Sequence, residues 1–209
     1  MRILIADDHS IIRKGLRHIL LEEYPSALID ESRDAEELIK KTLTGDWDLV
    51  ICDLSMPGRS GLDVAQHMRQ HFTDTPVLIL SMYPEEQYAI RALKAGASGY
   101  LSKDSIPEEL VKAVRTVLMG RKYISSSIAD KLASDIGRDS GSQPSHELLS
   151  HREFEIFQLL SLGLPVSAIA EKLSISITTV STHRAKIMAK MNVKSNADLT
   201  RYALENKLI

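Results

Sequence analysis

Along residues 1–121, short apolar runs alternate with amphipathic segments of helix length. Ile3-Leu4-Ile5-Ala6, Leu49-Val50-Ile51-Cys52 and Val77-Leu78-Ile79-Leu80 are runs of this kind, and with their neighbours they predict strands at 2–6, 27–31, 48–52, 76–80 and 98–102. Helical spacing of the apolar positions predicts helices over 10–22, 34–44, 60–71, 84–95 and 106–119. Leu16, Ile19 and Leu20 make one such stripe, and Leu110, Val111, Val114 and Leu118 make another. Turn signals separate the segments: Tyr24-Pro25, Pro57-Gly58, Gly96-Ala97, and Pro107 at a helix start. Five such units joined by right-handed crossovers predict an α/β, flavodoxin-like domain, a five-stranded parallel sheet of order 2-1-3-4-5.

The ends of these runs carry the candidate chemistry. The first runs into Asp7-Asp8 and the third into Asp53, while the fourth ends at Ser81 and the fifth, Gly99-Tyr100-Leu101-Ser102, at Lys103. Ligands of parallel sheets bind at the carboxyl edge of the strands, at the point where strand order reverses. In this order that point lies between the first and third strands, the two that end in carboxylates. Three carboxylates, a hydroxyl and an ammonium are therefore expected on one rim, a set able to hold a hard divalent cation and to accept a phosphoryl group on a carboxylate.

The pattern changes after residue 121. Residues 136–147 are rich in glycine, serine and polar residues and predict a linker, spanning 122–147 once a possible short helix over 122–135 is included. Beyond it, over 148–209, every segment is helical in pattern: 150–163, 165–173, 177–191 and 196–206, an all-α four-helix domain. Ser150 and Glu153 form a capping-box signature ahead of Phe154, Phe157 and Leu160. Val166 to Val180 has the form helix, tight turn, helix, with Ile169 and Leu173 expected against Val180. On the second of these helices Val180, Ile187 and Met191 share an inner face, with Arg184 at its margin. Ser181, Thr182, Ala185, Lys186 and Ala189 point outward, a small, polar, weakly basic face suited to a DNA major groove.

Charge sharpens the division. Residues 1–121 hold 15 Lys and Arg against 19 Asp and Glu, and residues 149–209 hold 8 against 5. Between Lys172 and Ala197 stand Lys172, Arg184, Lys186, Lys190 and Lys194 with no acid among them, so the tail is the part expected to meet a polyanion. No apolar run approaches the ~18 residues that span a bilayer. The single cysteine, Cys52, allows no internal disulfide, which fits a reducing cytoplasm, and it is expected to be a small core residue facing away from Asp53.

At these residues the chain resembles a two-component response regulator of the NarL/FixJ family, with a receiver domain followed by a LuxR-type helix-turn-helix. The receiver likeness covers about 1–121, through Asp7-Asp8-His9, the run from Asp53 to Gly61, Ser81, and Gly99 to Lys103. The second covers about 148–209, through Leu149 to Glu153, Gly163, Ile169-Ala170, Leu173, Ile175-Ser176 and Thr179 to His183. The resemblance implies that Asp53 is the phosphoacceptor and that Mg²⁺ is held by Asp8, Asp53 and the backbone carbonyl of Ser55, with Asp7 acting through water. It implies Lys103 as the phosphate-binding lysine and Ser81 as the switch hydroxyl. Tyr100 is the switch aromatic, expected to turn inward as Ser81 moves to a phosphoryl oxygen. It further implies a sensor histidine kinase and promoter DNA as partners, a homodimer when phosphorylated, a cytoplasmic location and no enzymatic turnover. Base readout would rest on Ser181, Thr182 and Lys186, and phosphate contacts on Lys190 and Lys194, with Thr179 also among the DNA-binding residues. The chain departs from the pattern at Asp104, where many receivers have proline, and at Ser181, where many relatives have lysine. His9 is read as a helix-start residue. Two rival readings are a haloacid-dehalogenase-like phosphotransferase, which would carry a second Asp where Ser55 stands, and a ligand-controlled DNA-binding protein with a vestigial receiver. The intact Asp7, Asp8, Asp53 and Lys103 argue against the latter.

Overall fold

The structure, a computed structural model, describes residues 1–126, 128–130, 132 and 145–209 of the chain. The first part alternates β1 (Arg2–Ala6), α1 (Ser10–Glu23), β2 (Leu28–Ser32), α2 (Ala35–Thr44), β3 (Leu49–Asp53), α3 (Gly61–His71), β4 (Val77–Ser81), α4 (Glu85–Ala95), β5 (Gly99–Ser102) and α5 (Ile106–Leu118). All pairings are parallel and the strand order is β2-β1-β3-β4-β5, as the alternation predicts. Four strands begin one residue later than their apolar runs suggest, so Asp53 and Ser81 are the last residues within β3 and β4. The ladder explains the shift, because Asp53 stands opposite Leu80, and Ser81 opposite Ser102.

Every residue of β3 and β4 is buried, which is why their sequences are unbroken apolar runs. Edge strand β2 is exposed or half-buried until Ser32. One core cluster joins Ile3, Ile5, Leu49, Ile51, Leu78, Leu80 and Leu101 of the sheet to Leu16 and Leu20 of α1 and to Leu110, Val114 and Val117 of α5. On the opposite face lie the alternate strand residues, Cys52 among them, fully buried.

Helix starts follow local chemistry. Asp34 caps α2 by accepting from the Glu37 amide, and Ser60 with Asp63 closes a capping box on α3. α3 begins hard against the end of β3: a Cβ on Gly61 would lie 2.4 Å from the Asp53 carbonyl oxygen, so only glycine lets the helix start there.

The linker expected from 122 is tied down at its start. Tyr123 pairs in parallel with Gly99, donating its amide to Ser98 O (2.9 Å) and accepting from the Tyr100 amide (3.1 Å). Its ring is buried in the same core as α1 and α5. Tyr123 acts as a one-residue extension of the sheet beyond β5, and so belongs to the first unit. The short helix expected over 122–135 falls partly outside the described residues, as does most of 136–147. Within it, the Ala129 amide bonds Ser125 O at 3.1 Å and Ile128 is buried.

The chain divides into two compact units, with the division inside 133–144. The second opens on a 3₁₀ turn (Ser145–Leu148) and packs α6 (His151–Ser161), α7 (Val166–Lys172), α8 (Ile177–Met191) and α9 (Asn196–Glu205). The 3₁₀ turn, placed in the linker by composition, is held to α9 because His146 Nδ1 and the Tyr202 hydroxyl are 2.9 Å apart. Phe154, Phe157, Leu160, Ile169, Val180, Ile187 and Leu199 form its buried interior.

Candidate functional site

At the carboxyl edge of the sheet, β1 ends beside β3 in a register that pairs Ala6 with Cys52, so the next residues, Asp7 and Asp53, are neighbours. Both carboxylates are buried. Lys103 leaves β5 at the start of a 3₁₀ turn and lays its ammonium between them, 2.8 Å from Asp7 Oδ2 and 3.0 Å from Asp53 Oδ2. The contact to Asp7 is an ion pair of poor hydrogen-bond geometry, and Oδ2 accepts no hydrogen bond. One buried cation faces two buried anions, and Asp8 adds a third, exposed carboxylate. The Asp53 carboxyl is pushed from 3.8 up to about 6, chiefly by burial and further by the charge of Asp7, against the lowering effect of Lys103. Burial alone would lower Lys103, but its pairing with Asp7 and Asp53 outweighs it and the ammonium is held above its ordinary value.

The acid loop is braced from behind. Arg13 of α1 is buried, donates Nη1–H to Asp7 O (2.6 Å) and pairs through Nε with Glu31 Oε2 (3.0 Å). The pattern held a signal for this: Arg13 lies three residues before Leu16 on the buried stripe of α1. The Asp7 Oδ1 atom accepts the His9 amide at 2.8 Å. Potential donor atoms of Asp7, Asp8, His9 and Asp53 all lie within 4.8 Å of one another. His9 stands at the N-cap of α1 without a side-chain cap bond, so the helix-start reading accounts for its backbone and not for its ring.

Ser81 accepts the Tyr83 amide at 3.0 Å, and Tyr100 donates its hydroxyl to Tyr83 O at 2.9 Å. Tyr100 is 1% exposed and lies inward in this structure. Its position opposite Ile79 and the carbonyl of Tyr83 supply both the packing and the hydrogen bond that hold it there. Burial raises the phenol strongly, offset in part by a bond to Ser81. Tyr83 also stacks on buried Tyr88 of α4, with centroids 4.9 Å apart. No described peptide bond is cis, including Lys103-Asp104.

In the second unit α8 presents Ser181, Thr182, Ala185, Lys186 and Ala189 to solvent and buries Val180, Ile187 and Met191, the division its sequence predicts. Ser176 caps the helix by accepting the Thr179 amide (3.0 Å). Thr179 is exposed, and its hydroxyl is 2.7 Å from that of Ser176, so it is partly spent on the cap. Thr182 donates to Thr178 O (2.9 Å). Lys186 and Lys194 are exposed. Lys190, exposed on this face, also has a partner in the bundle. It donates to Glu153 Oε2 at 2.6 Å, where Glu153 is 5% exposed and also accepts the Ser150 amide. Burial raises Glu153, but Lys190 and Ser150 outweigh it and hold the carboxyl low. His183 is lowered by burial, and its Nδ1 has no hydrogen-bond partner.

A doubly wound sheet with acids and a lysine at its switch point, joined to a bundle that turns one helix's polar face outward, defines a two-component response regulator. Residues 3–115 match the response regulator receiver domain and residues 147–203 match the bacterial regulatory proteins of the luxR family; the chain belongs to the response regulators that combine the two. The oxygen regulatory protein NreC of Staphylococcus carnosus is 40% identical over 215 residues, covering 100% of this chain and 99% of that one. The NreC of Staphylococcus epidermidis RP62A is 39% identical over 216 residues, with the same coverage. Among solved structures, RcsB of Salmonella enterica serovar Typhimurium, bound to the promoter rprA with the phosphomimetic BeF3⁻, aligns at TM-score 0.63 and 30% identity over 97% of both chains.

Proposed function

We propose that this chain is a DNA-binding transcription regulator gated by phosphorylation of Asp53, with a sensor histidine kinase as donor. The observation that carries it is the Lys103 ammonium bridging buried Asp7 and Asp53 at the carboxyl edge. In the transfer, an Asp53 oxygen bonds to phosphorus as the bond from phosphorus to the donor imidazole breaks, and the histidine leaves with a proton. Lys103 holds an equatorial oxygen, and its charge offsets the dianion that forms.

The donor set fits a divalent cation, because three carboxylates share one rim with one lysine and Asp7 Oδ2 lacks a hydrogen bond. Asp8, Asp53 and the Ser55 carbonyl would hold Mg²⁺ directly and Asp7 through water. When bound, the ion supplies charge neutralisation for the incoming phosphoryl group. Ser81 accepts the Tyr83 amide, and its hydroxyl proton is the one it would donate to a phosphoryl oxygen. Tyr83 O also anchors Tyr100, so the loop after β4 moves with that aromatic pair, and the phosphoryl signal reaches α4 through it.

In the second unit, Ser181, Thr182, Ala185 and Lys186 form the face offered to a major groove, with Thr179 at its start and Lys194 beyond its end. The phosphorylated form is proposed to dimerise and bind paired promoter half-sites, a mode consistent with a relative that binds a promoter in the presence of BeF3⁻. Among the described residues no helix is long and apolar enough to cross a membrane, and we place the protein in the cytoplasm with its kinase and promoter. Acetyl phosphate with a divalent cation should label wild type and not Asp53→Asn, and beryllofluoride should raise both association and operator affinity. Equal labelling of the two proteins, or a mimic that changes neither property, overturns the reading.

A further inference from the structure

The cation site contains a donor beyond the acids. His9 Nδ1 lies 2.8 Å from Asp8 Oδ1 and 3.3 Å from Asp7 Oδ1, and it belongs to the same group of mutually close ligating atoms as Asp53. Two features mark this spot. The Asp7 carboxylate is wholly buried with Oδ2 paired to the Lys103 ammonium at 2.8 Å, and the His9 ring, 66% exposed, already sets Nδ1 against the facing oxygens of Asp7 and Asp8. A rim of carboxylates alone suits hard cations such as Mg²⁺, which prefer oxygen and retain water. Adding an imidazole changes the ranking, because nitrogen donors favour borderline first-row metals in the order Mn²⁺, Co²⁺, Ni²⁺.

We propose that His9 is a specificity-determining ligand of this site, tilting it from Mg²⁺ towards Mn²⁺ and the later first-row divalent metals. The inference rests on the cation site described above. The backbone supports it: the His9 amide is anchored to Asp7 Oδ1, so the residue enters α1 from a fixed point next to the acids. Its neighbours on every side are accounted for. Asp7 and Asp8 face the ring, Lys103 is engaged with Asp7 and Asp53, and Arg13 is engaged with Glu31 and Asp7 O. No other described cation is placed to compete for the imidazole nitrogen.

The test uses the full-length protein at pH 8, where free imidazole is neutral. Calorimetry measures Mg²⁺ and Mn²⁺ affinities for wild type and His9→Phe, which keeps ring volume and removes the donor. The ratio of Mn²⁺ to Mg²⁺ affinity should fall roughly tenfold in the variant, with Mg²⁺ affinity changed by less than about twofold. Pulsed electron paramagnetic resonance of bound Mn²⁺ should show nitrogen modulation from an imidazole in wild type and none in His9→Phe. If both metals bind, the ratio is unchanged and wild type shows no nitrogen modulation, His9 is not a ligand and only this inference falls. If wild type binds neither metal, the cation site itself falls with it.

Discussion

At the scale of single residues, the burial of Asp53 carries a cost. Its raised value means the folded chain binds a proton there more tightly than the unfolded chain does. Stability therefore falls as pH rises through the window from 3.8 to about 6 and stays lowered above it. Asp53→Asn should remove a penalty of about 2–3 kcal/mol at pH 8 in cation-free protein, and the gain should vanish below about pH 4. Urea unfolding of both proteins across that range checks this, and a pH-independent difference would show that burial of the charge is not the cause. Asp7, Asp53 and Lys103 were legible in the sequence because each ends a strand. Arg13 was less so, since an arginine on an apolar stripe announces burial without naming what it meets. The ring of His9 was not legible at all, because the closeness of His9 to Asp53 is made by the pairing of β1 with β3.

At the scale of elements, two contacts share a cause. Tyr123 and Lys190 were placed by composition and charge along the chain, and each meets a partner remote in sequence. Tyr123→Ala removes the one-residue extension beside Gly99 and should destabilise the first unit by about 3 kcal/mol, measurable by denaturant unfolding of a fragment ending at 132. A change under about 1 kcal/mol would place the ring outside the core. For α8, Lys186→Ala should make the salt dependence of operator binding shallower by roughly one unit. Lys190→Ala should leave that slope unchanged and lower the unfolding temperature of the second unit. The stability that the ion pair confers should be present above about pH 4.5 and fade as acid protonates Glu153, whose folded value is depressed. Identical slopes for both variants would return Lys190 to the DNA surface.

At the scale of the whole molecule, each unit encloses its own apolar interior, one between sheet and helices and one among four helices. Fragments 1–132 and 145–209 should each unfold in a single cooperative transition by calorimetry. Loss of structure in either fragment would mean that its core is completed by residues outside it.

The sheet order, the helix faces and the membership of the acidic rim were determined by the sequence itself, because apolar periodicity and strand ends are properties of consecutive residues. Tertiary structure alone decided that Tyr100 already lies inward on Tyr83 O, that Tyr123 completes the sheet and that Lys190 answers Glu153 rather than standing free. It also decided that His9 shares the rim with Asp53. Each of these depends on two groups meeting after the chain has folded. The free energy of burying a charge or ring is set by that meeting, which periodicity along one segment does not encode.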